Sequence, residues 1–201
     1  GCEVEVFLYG DPEKLPPDAR VNYERWCGMG EVVTLDIEQP DRNCHKAAEA
    51  VFAGSSDTTV FVDALFGIGL SRGADVSFWI WRDLNCWPHE DIDLRIVALD
   101  VPSGLCADSG RPLIAEAVQD RRAVIPADLT VTFHGRKAGH LLDDGPELCG
   151  KVRIVDIGLR QRFSLEGLHL TDDWPFNHAR SSLTKHRGHK YSHGHALILS
   201  G

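Results

Sequence analysis

The stretch T-T-V-F-V-D-A-L-F-G-I-G-L-S-R-G, Thr58 to Gly73, decides the reading of the fold. Its first half, Thr58 to Leu65, is β-branched and apolar almost throughout, the pattern of a strand covered on both faces in a parallel sheet. Its second half brings Gly67, Gly69 and Gly73, residues that let a backbone approach a ligand closely. A buried strand ending on Asp63 and running into a glycine loop predicts a polar site at the carboxyl edge of the sheet, where open α/β sheets bind ligands. A plain glycine turn is the alternative for so short a motif.

The alternation continues in both directions. Val4 to Tyr9, Val32 to Ile37, Leu94 to Val101, Leu129 to Phe133, Val152 to Ile157 and Ala196 to Leu199 read as strands. Pro17 to Met29 and Asp41 to Ala53 read as amphipathic helices, and Asp75 to Leu84 as a weaker one carrying Trp79 and Trp81. Alternating strands and helices predict a doubly wound α/β fold, a Rossmann-like three-layer αβα arrangement with a mostly parallel sheet.

Bulk properties narrow the function. The 201 residues are 43% hydrophobic and 25% charged, which excludes a disordered or fibrous chain. That length suits one domain plus about fifty residues. A net charge of −9 argues against a nucleic-acid partner. Apolar runs fall short of the roughly 20 residues of a membrane span, and no signal-peptide pattern opens the chain, so no membrane partner and a cytoplasmic location are expected. Six Cys lie with no C-x-x-C pair, which leaves zinc-ribbon and thioredoxin readings unsupported and points to free thiols. From Trp174 onward there are four basic residues, no acidic ones, and five of the ten His. This segment lacks periodicity as far as Arg187 and reads as a linker; the irregular His spacing suits a loop better than a zinc site. With Met29 as its single Met, the chain is expected to be an internal, N-terminally truncated piece of something longer.

Two further strand ends carry candidate chemistry. In A-L-D-V-P-S-G-L, Ala98 to Leu105, Asp100 closes a strand and Ser103-Gly104 offers a hydroxyl and exposed backbone. An Asp at such a mouth can act as general acid or base or as a cation ligand, or can merely cap the next segment. Asp63 and Ser103, on neighbouring strand ends, could share a hard cation through oxygen. In A-D-L-T-V-T-F-H-G-R-K-A-G-H-L-L, Ala127 to Leu142, Lys137 either meets an anionic ligand group or stands as an ordinary solvated Lys.

These segments, in this order, resemble the NAD(P)H-hydrate epimerase family, the N-terminal domain of bifunctional nicotinamide nucleotide repair enzymes. The matching residues are Asp63-Ala64-Leu65-Phe66-Gly67-Ile68-Gly69-Leu70, then Ala98 to Leu105, Ala127 to Phe133, Lys137 with Gly139, and the closing strand Gly150 to Gly158. The resemblance implies hydrated NADH or NADPH as substrate and epimerisation of its R and S forms. It implies a substrate loop formed by Gly67, Ile68, Gly69, Leu70, Ser71, Arg72 and Gly73, with Asp100 as substrate-contacting catalytic acid–base. Asp63 and Ser103 correspond to the family's potassium ligands. It also implies a homo-oligomer, dimeric or higher. By the same resemblance, residues 1–173 form an epimerase domain lacking its N-terminal part, residues 174–188 a linker, and residues 189–201 the first strand of a ribokinase-like NAD(P)H-hydrate dehydratase that uses ADP or ATP.

The departures are specific. The family's N-N-G-G-D-G phosphate loop has no counterpart in the sequence, Ile68 replaces the usual Thr, and Gly73 replaces a frequent Pro. The 201 residues alone are therefore expected to be inactive. A catalytically inactive scaffold version of the same domain is the alternative, and the retained Asp63, Asp100 and Ser103 favour the enzyme. A conventional nicotinamide dehydrogenase would need G-x-G-x-x-G after the first strand with an acid about twenty residues on, and the sequence has neither.

Overall fold

The structure, a computed structural model, describes residues 3–35, 45–53, 58–73, 76–86, 93–113 and 124–159. The chain divides into two units, Gly1–Gln161 and Arg162–Gly201, and every described residue belongs to the first. The strand expected at Ala196 to Leu199, the linker and the His-rich segment all lie outside the described residues.

In chain order the elements are β1 (Val6–Tyr9), α1 (Pro17–Cys27), β2 (Val32–Leu35), α2 (His45–Ala53), β3 (Thr58–Asp63), α3 (Val76–Cys86), β4 (Asp93–Leu99), β5 (Leu129–Phe133), α4 (Gly145–Leu148) and β6 (Lys151–Val155). Among the described residues every pairing between named strands is parallel, and helices flank the strands, as the three-layer α/β reading expects. The ladders form two groups rather than one: β1 with β2, and β3-β4-β5-β6 in sequence order. Side chains join the two groups. Tyr9 meets Phe66 edge to face with ring centroids 6.0 Å apart, and Phe7, Tyr9 and Leu35 pack into the same core as Ile80 and Ile96.

That core follows from the helix patterns. Ala47, Ala48 and Val51 on α2 and Val76, Ile80 and Leu84 on α3 recur at three- and four-residue spacing and are buried. They cover Phe61 of β3 and Ile96 and Ala98 of β4. Burying each Val, Leu or Ile side chain contributes about 1.5–3 kcal/mol, and this packing holds the helices against β3 and β4. Phe61 opposes Ile96 and Asp63 opposes Ala98. Leu99 in turn opposes Val131. This register brings the carboxyl ends of β3, β4 and β5 side by side, and with them Asp63, Asp100 and Thr132.

Candidate functional site

Asp63 is the last residue of β3 and is only 1% exposed; Ser103, forty residues on, is wholly buried beside it. The Ser103 hydroxyl donates to Asp63 Oδ1 at 2.5 Å, and the Ser103 backbone N–H donates to Oδ2 at 2.7 Å. The Phe66 N–H donates to Ser103 Oγ at 2.9 Å, so one serine ties the loop after β4 to the loop after β3. Burial pushes the Asp63 carboxyl above the usual carboxylate range, and the donors from Ser103 and Leu65 oppose that shift without cancelling it.

Among the described residues no basic side chain pairs with Asp63, and no group of three or more His, Cys, Asp or Glu converges on a metal-sized point. One carboxylate, one hydroxyl and nearby carbonyl oxygens, among them the Phe66 carbonyl 3.4 Å from Ser103 Oγ, form a hard donor set of low charge. Such a set fits a singly charged cation better than a divalent or soft one.

The second acid is built differently. Asp100 follows β4 with φ of 69°, a left-handed conformation that costs a non-glycine residue about 1–3 kcal/mol and that Asp tolerates better than most. Its N–H donates to the Val131 carbonyl at 2.8 Å, which anchors the turn to β5. Lys137 Nζ forms an ion pair with Asp100 Oδ1, and the Thr132 hydroxyl donates to the same oxygen at 3.0 Å. Burial alone would raise the Asp100 pKa. The hydrogen bonds from Lys137 and Thr132 and the lysine charge overcome it, so the carboxyl lies below the ordinary range and is ionised at neutral pH.

Asp100 Oδ2 faces the glycine loop: a β-carbon placed on Gly67 would lie 3.8 Å from it. The loop turns at Gly67, whose carbonyl accepts the Leu70 N–H at 3.3 Å, and Gly67, Ile68 and Gly69 are exposed, Ile68 at 61%. Ser71 and Arg72 are also exposed, and Leu70 and Gly73 are half-buried. The sequence-derived candidates therefore fall into two clusters, Asp63 with Ser103 and Asp100 beside Gly67, at neighbouring strand ends. Ser71, Arg72 and Gly73 continue along the exposed loop without a hydrogen bond to either acid among the described residues.

Of the two readings of Lys137, the ordinary solvated lysine does not hold. Its side chain is 20% exposed and is held against an acid 37 residues earlier in the chain. Thr132 and His140 escaped the sequence reading altogether; both are buried. A signal existed for His140 in the run Lys137-Ala138-Gly139-His140. A β-carbon on Gly139 would meet the Cys106 and Ala107 carbonyls at 2.3 and 2.7 Å, so glycine alone lets this segment close against the loop after β4. The described cysteines Cys27, Cys106 and Cys149 are free; Cys27 is exposed, and burial pushes the Cys149 thiol up to about 12. No helix among the described residues is long and apolar enough to cross a membrane.

The fold and these strand ends define a parallel α/β protein with an acidic, glycine-flanked site at the carboxyl edge of its sheet. The chain belongs to the family described as YjeF-related protein N-terminus, which it matches over residues 1–139. It is 40% identical over 162 residues to the NAD(P)H-hydrate epimerase of Roseobacter litoralis, covering 79% of this chain and 66% of that protein. It is 34% identical over 140 residues to the NAD(P)H-hydrate epimerase of Rhodobacter capsulatus, covering 70% of this chain and 54% of the relative. Against the bifunctional NAD(P)H-hydrate repair enzyme Nnr of Vibrio cholerae, identity is 30% over 207 residues, all of this chain and 36% of the relative. The chain thus spans just under two thirds of the first epimerase's length and about a third of the bifunctional enzyme's.

Proposed function

We propose that this protein epimerises the R and S forms of hydrated NADH and NADPH. The observation that carries this reading is Asp100, an ionised carboxylate fixed at the mouth of the sheet with Oδ2 toward an open glycine loop. The hydrate bears its hydroxyl on a carbon next to the ring nitrogen. Protonation of that hydroxyl lets the nitrogen lone pair expel water and leaves a planar cation. Water then adds to either face and releases a proton. A carboxylate beside the ring stabilises the developing positive charge and accepts the proton from the adding water; it then releases that proton to solvent, which supplies the proton taken by the departing hydroxyl, and returns to its ionised state.

Gly67 to Gly73 would lie along the substrate, with backbone rather than bulk at the point of closest approach. Asp63 and Ser103 would hold a potassium ion, whose charge would offset the buried carboxylate and favour an anionic ligand nearby. Residues 1–173 are read as the epimerase domain, 174–188 as a linker, and 189–201 as the opening of an ADP- or ATP-dependent dehydratase. The matched length of the bifunctional relative supports that arrangement. A cytoplasmic homo-oligomer completes the proposal.

The test is direct. The full-length protein is incubated with a chromatographically pure R hydrate of NADPH, and appearance of the S form is followed against the uncatalysed rate. Acceleration supports the reading; an unchanged rate contradicts it.

A further inference from the structure

We infer that Lys137 and His140 are positioning residues that clamp Asp100 from two sides and leave Oδ2 as its working oxygen. The inference rests on the epimerase reading and specifies which atom of that site acts.

An ammonium group has three N–H donors. Lys137 Nζ directs them at Asp100 Oδ1, at Thr132 Oγ1 (2.8 Å) and at the Phe133 carbonyl (3.1 Å). No donor is left over for a ligand, so this lysine holds the acid rather than the substrate. Both side-chain donors to Asp100, Lys137 and Thr132, take Oδ1. Oδ2 is the oxygen turned to Gly67. The Phe133 backbone N–H also reaches the carboxylate, but the side-chain donors divide its two oxygens, Oδ1 held by Lys137 and Thr132 and Oδ2 turned toward the loop.

His140 secures the backbone of the same pair. It is 1% exposed. The Lys137 N–H donates to its Nδ1 at 3.1 Å, so the neutral ring carries its proton on Nε2. That Nε2 lies 2.8 Å from the Asp100 carbonyl and donates to it. With the Asp100 N–H already on Val131, both backbone polar groups of the left-handed residue are bonded. One imidazole therefore links the backbone of the cation to the backbone of the anion. Lys137 sets where Oδ1 sits, and His140 sets the peptide from which the carboxylate hangs.

The experiment compares Lys137→Met, His140→Ala and His140→Gln with wild type in the full-length protein, after thermal melting has confirmed that each folds. Lys137→Met is expected to lower kcat for hydrate epimerisation about 10- to 100-fold with KM within about twofold, because a positioning group is lost and no ligand contact. His140→Ala is expected to lower kcat about 10-fold, and His140→Gln, which keeps a donor near the Nε2 position, to recover most of that loss. A raised KM with unchanged kcat in Lys137→Met would make the lysine a ligand-binding group and overturn the inference. A glutamine variant no better than alanine at equal melting temperature would also overturn it. A crystal structure of Lys137→Met supplies a readout free of activity. The Asp100 carboxylate is expected to swing away from Gly67, and an unmoved carboxylate contradicts the clamp. Should the wild type show no epimerisation, the functional reading fails while the crystal structure still decides the clamp.

Discussion

Asp63 and Asp100 end adjacent parallel strands, yet the protein treats them oppositely. Asp63 is sealed in, bonded only to neutral donors, and pushed toward its protonated form. Asp100 keeps 16% of its side chain exposed, carries a lysine of its own, and is held ionised. The difference supports the different work proposed for them. A buried acid without a protein cation among the described residues is the one that gains from an external cation. An acid with its cation built in, and an oxygen toward an open loop, is the one equipped for a ligand. Two chemically identical side chains acquire opposite ionisation tendencies from their surroundings alone.

The most damaging way to break this contrast is Asp100→Asn. Asparagine keeps the shape and tolerates the left-handed backbone, so the fold is expected to persist while epimerisation falls about 100- to 10,000-fold. Chiral chromatography of the hydrates, alongside thermal melting, checks both halves. Next comes Ser103→Ala. It strips Asp63 of its hydroxyl donor and leaves the Phe66 N–H without an acceptor, at a cost of about 2–3 kcal/mol. That corresponds to a thermal midpoint lower by about 5–10 °C, read by calorimetry.

A subtler test exchanges sodium for potassium at constant ionic strength. Potassium at about ten times its dissociation constant is expected to stabilise the wild type by roughly 1.4 kcal/mol at pH 7, and Asp63→Asn by nothing measurable. The effect has a definite direction with pH. Because the folded-state pKa of Asp63 is raised, its charged form costs stability as pH rises through that value, and potassium offsets this cost only there. Below the unfolded pKa of about 4 the potassium effect should vanish. Asp100 runs the other way: its depressed pKa supplies stability above the unfolded value, and that stability is lost as acid carries the pH down through the folded value. The smallest effect belongs to Ile68→Thr. The side chain is 61% exposed, so stability should move by no more than about 0.5 kcal/mol. Any change should appear in KM.

The strands were legible because their apolar runs are local and continuous. Leu129 to Phe133 coincides with β5, and β3 and β4 start within one residue of expectation. Their ends were less legible, for a physical reason. β3 stops at Asp63, whose carboxylate accepts the Leu65 N–H and turns the chain. β4 stops at Leu99 because Asp100 leaves the extended region. The interruption between β1–β2 and β3–β6 was invisible in the apolar pattern, which records what is buried and not which neighbour is paired. Within the site, Asp63, Ser103, Asp100 and the glycines announced themselves by residue type at strand ends. Lys137 stood out only as a possible partner of a ligand's anion, and Thr132 and His140 not at all. Each matters through a partner 32 to 40 residues away, and that pairing exists only once β4 and β5 lie side by side.

The measurement closest to the central claim is the ionisation of the two aspartates in one sample. Carboxyl carbon shifts of Asp63 and Asp100, assigned by the loss of each signal in its Asn variant, are followed by NMR across an acid titration in sodium buffer. Asp100 should titrate below the ordinary value of about 4 and Asp63 above it. Coincident midpoints, or the reverse order, would contradict the division of roles between them.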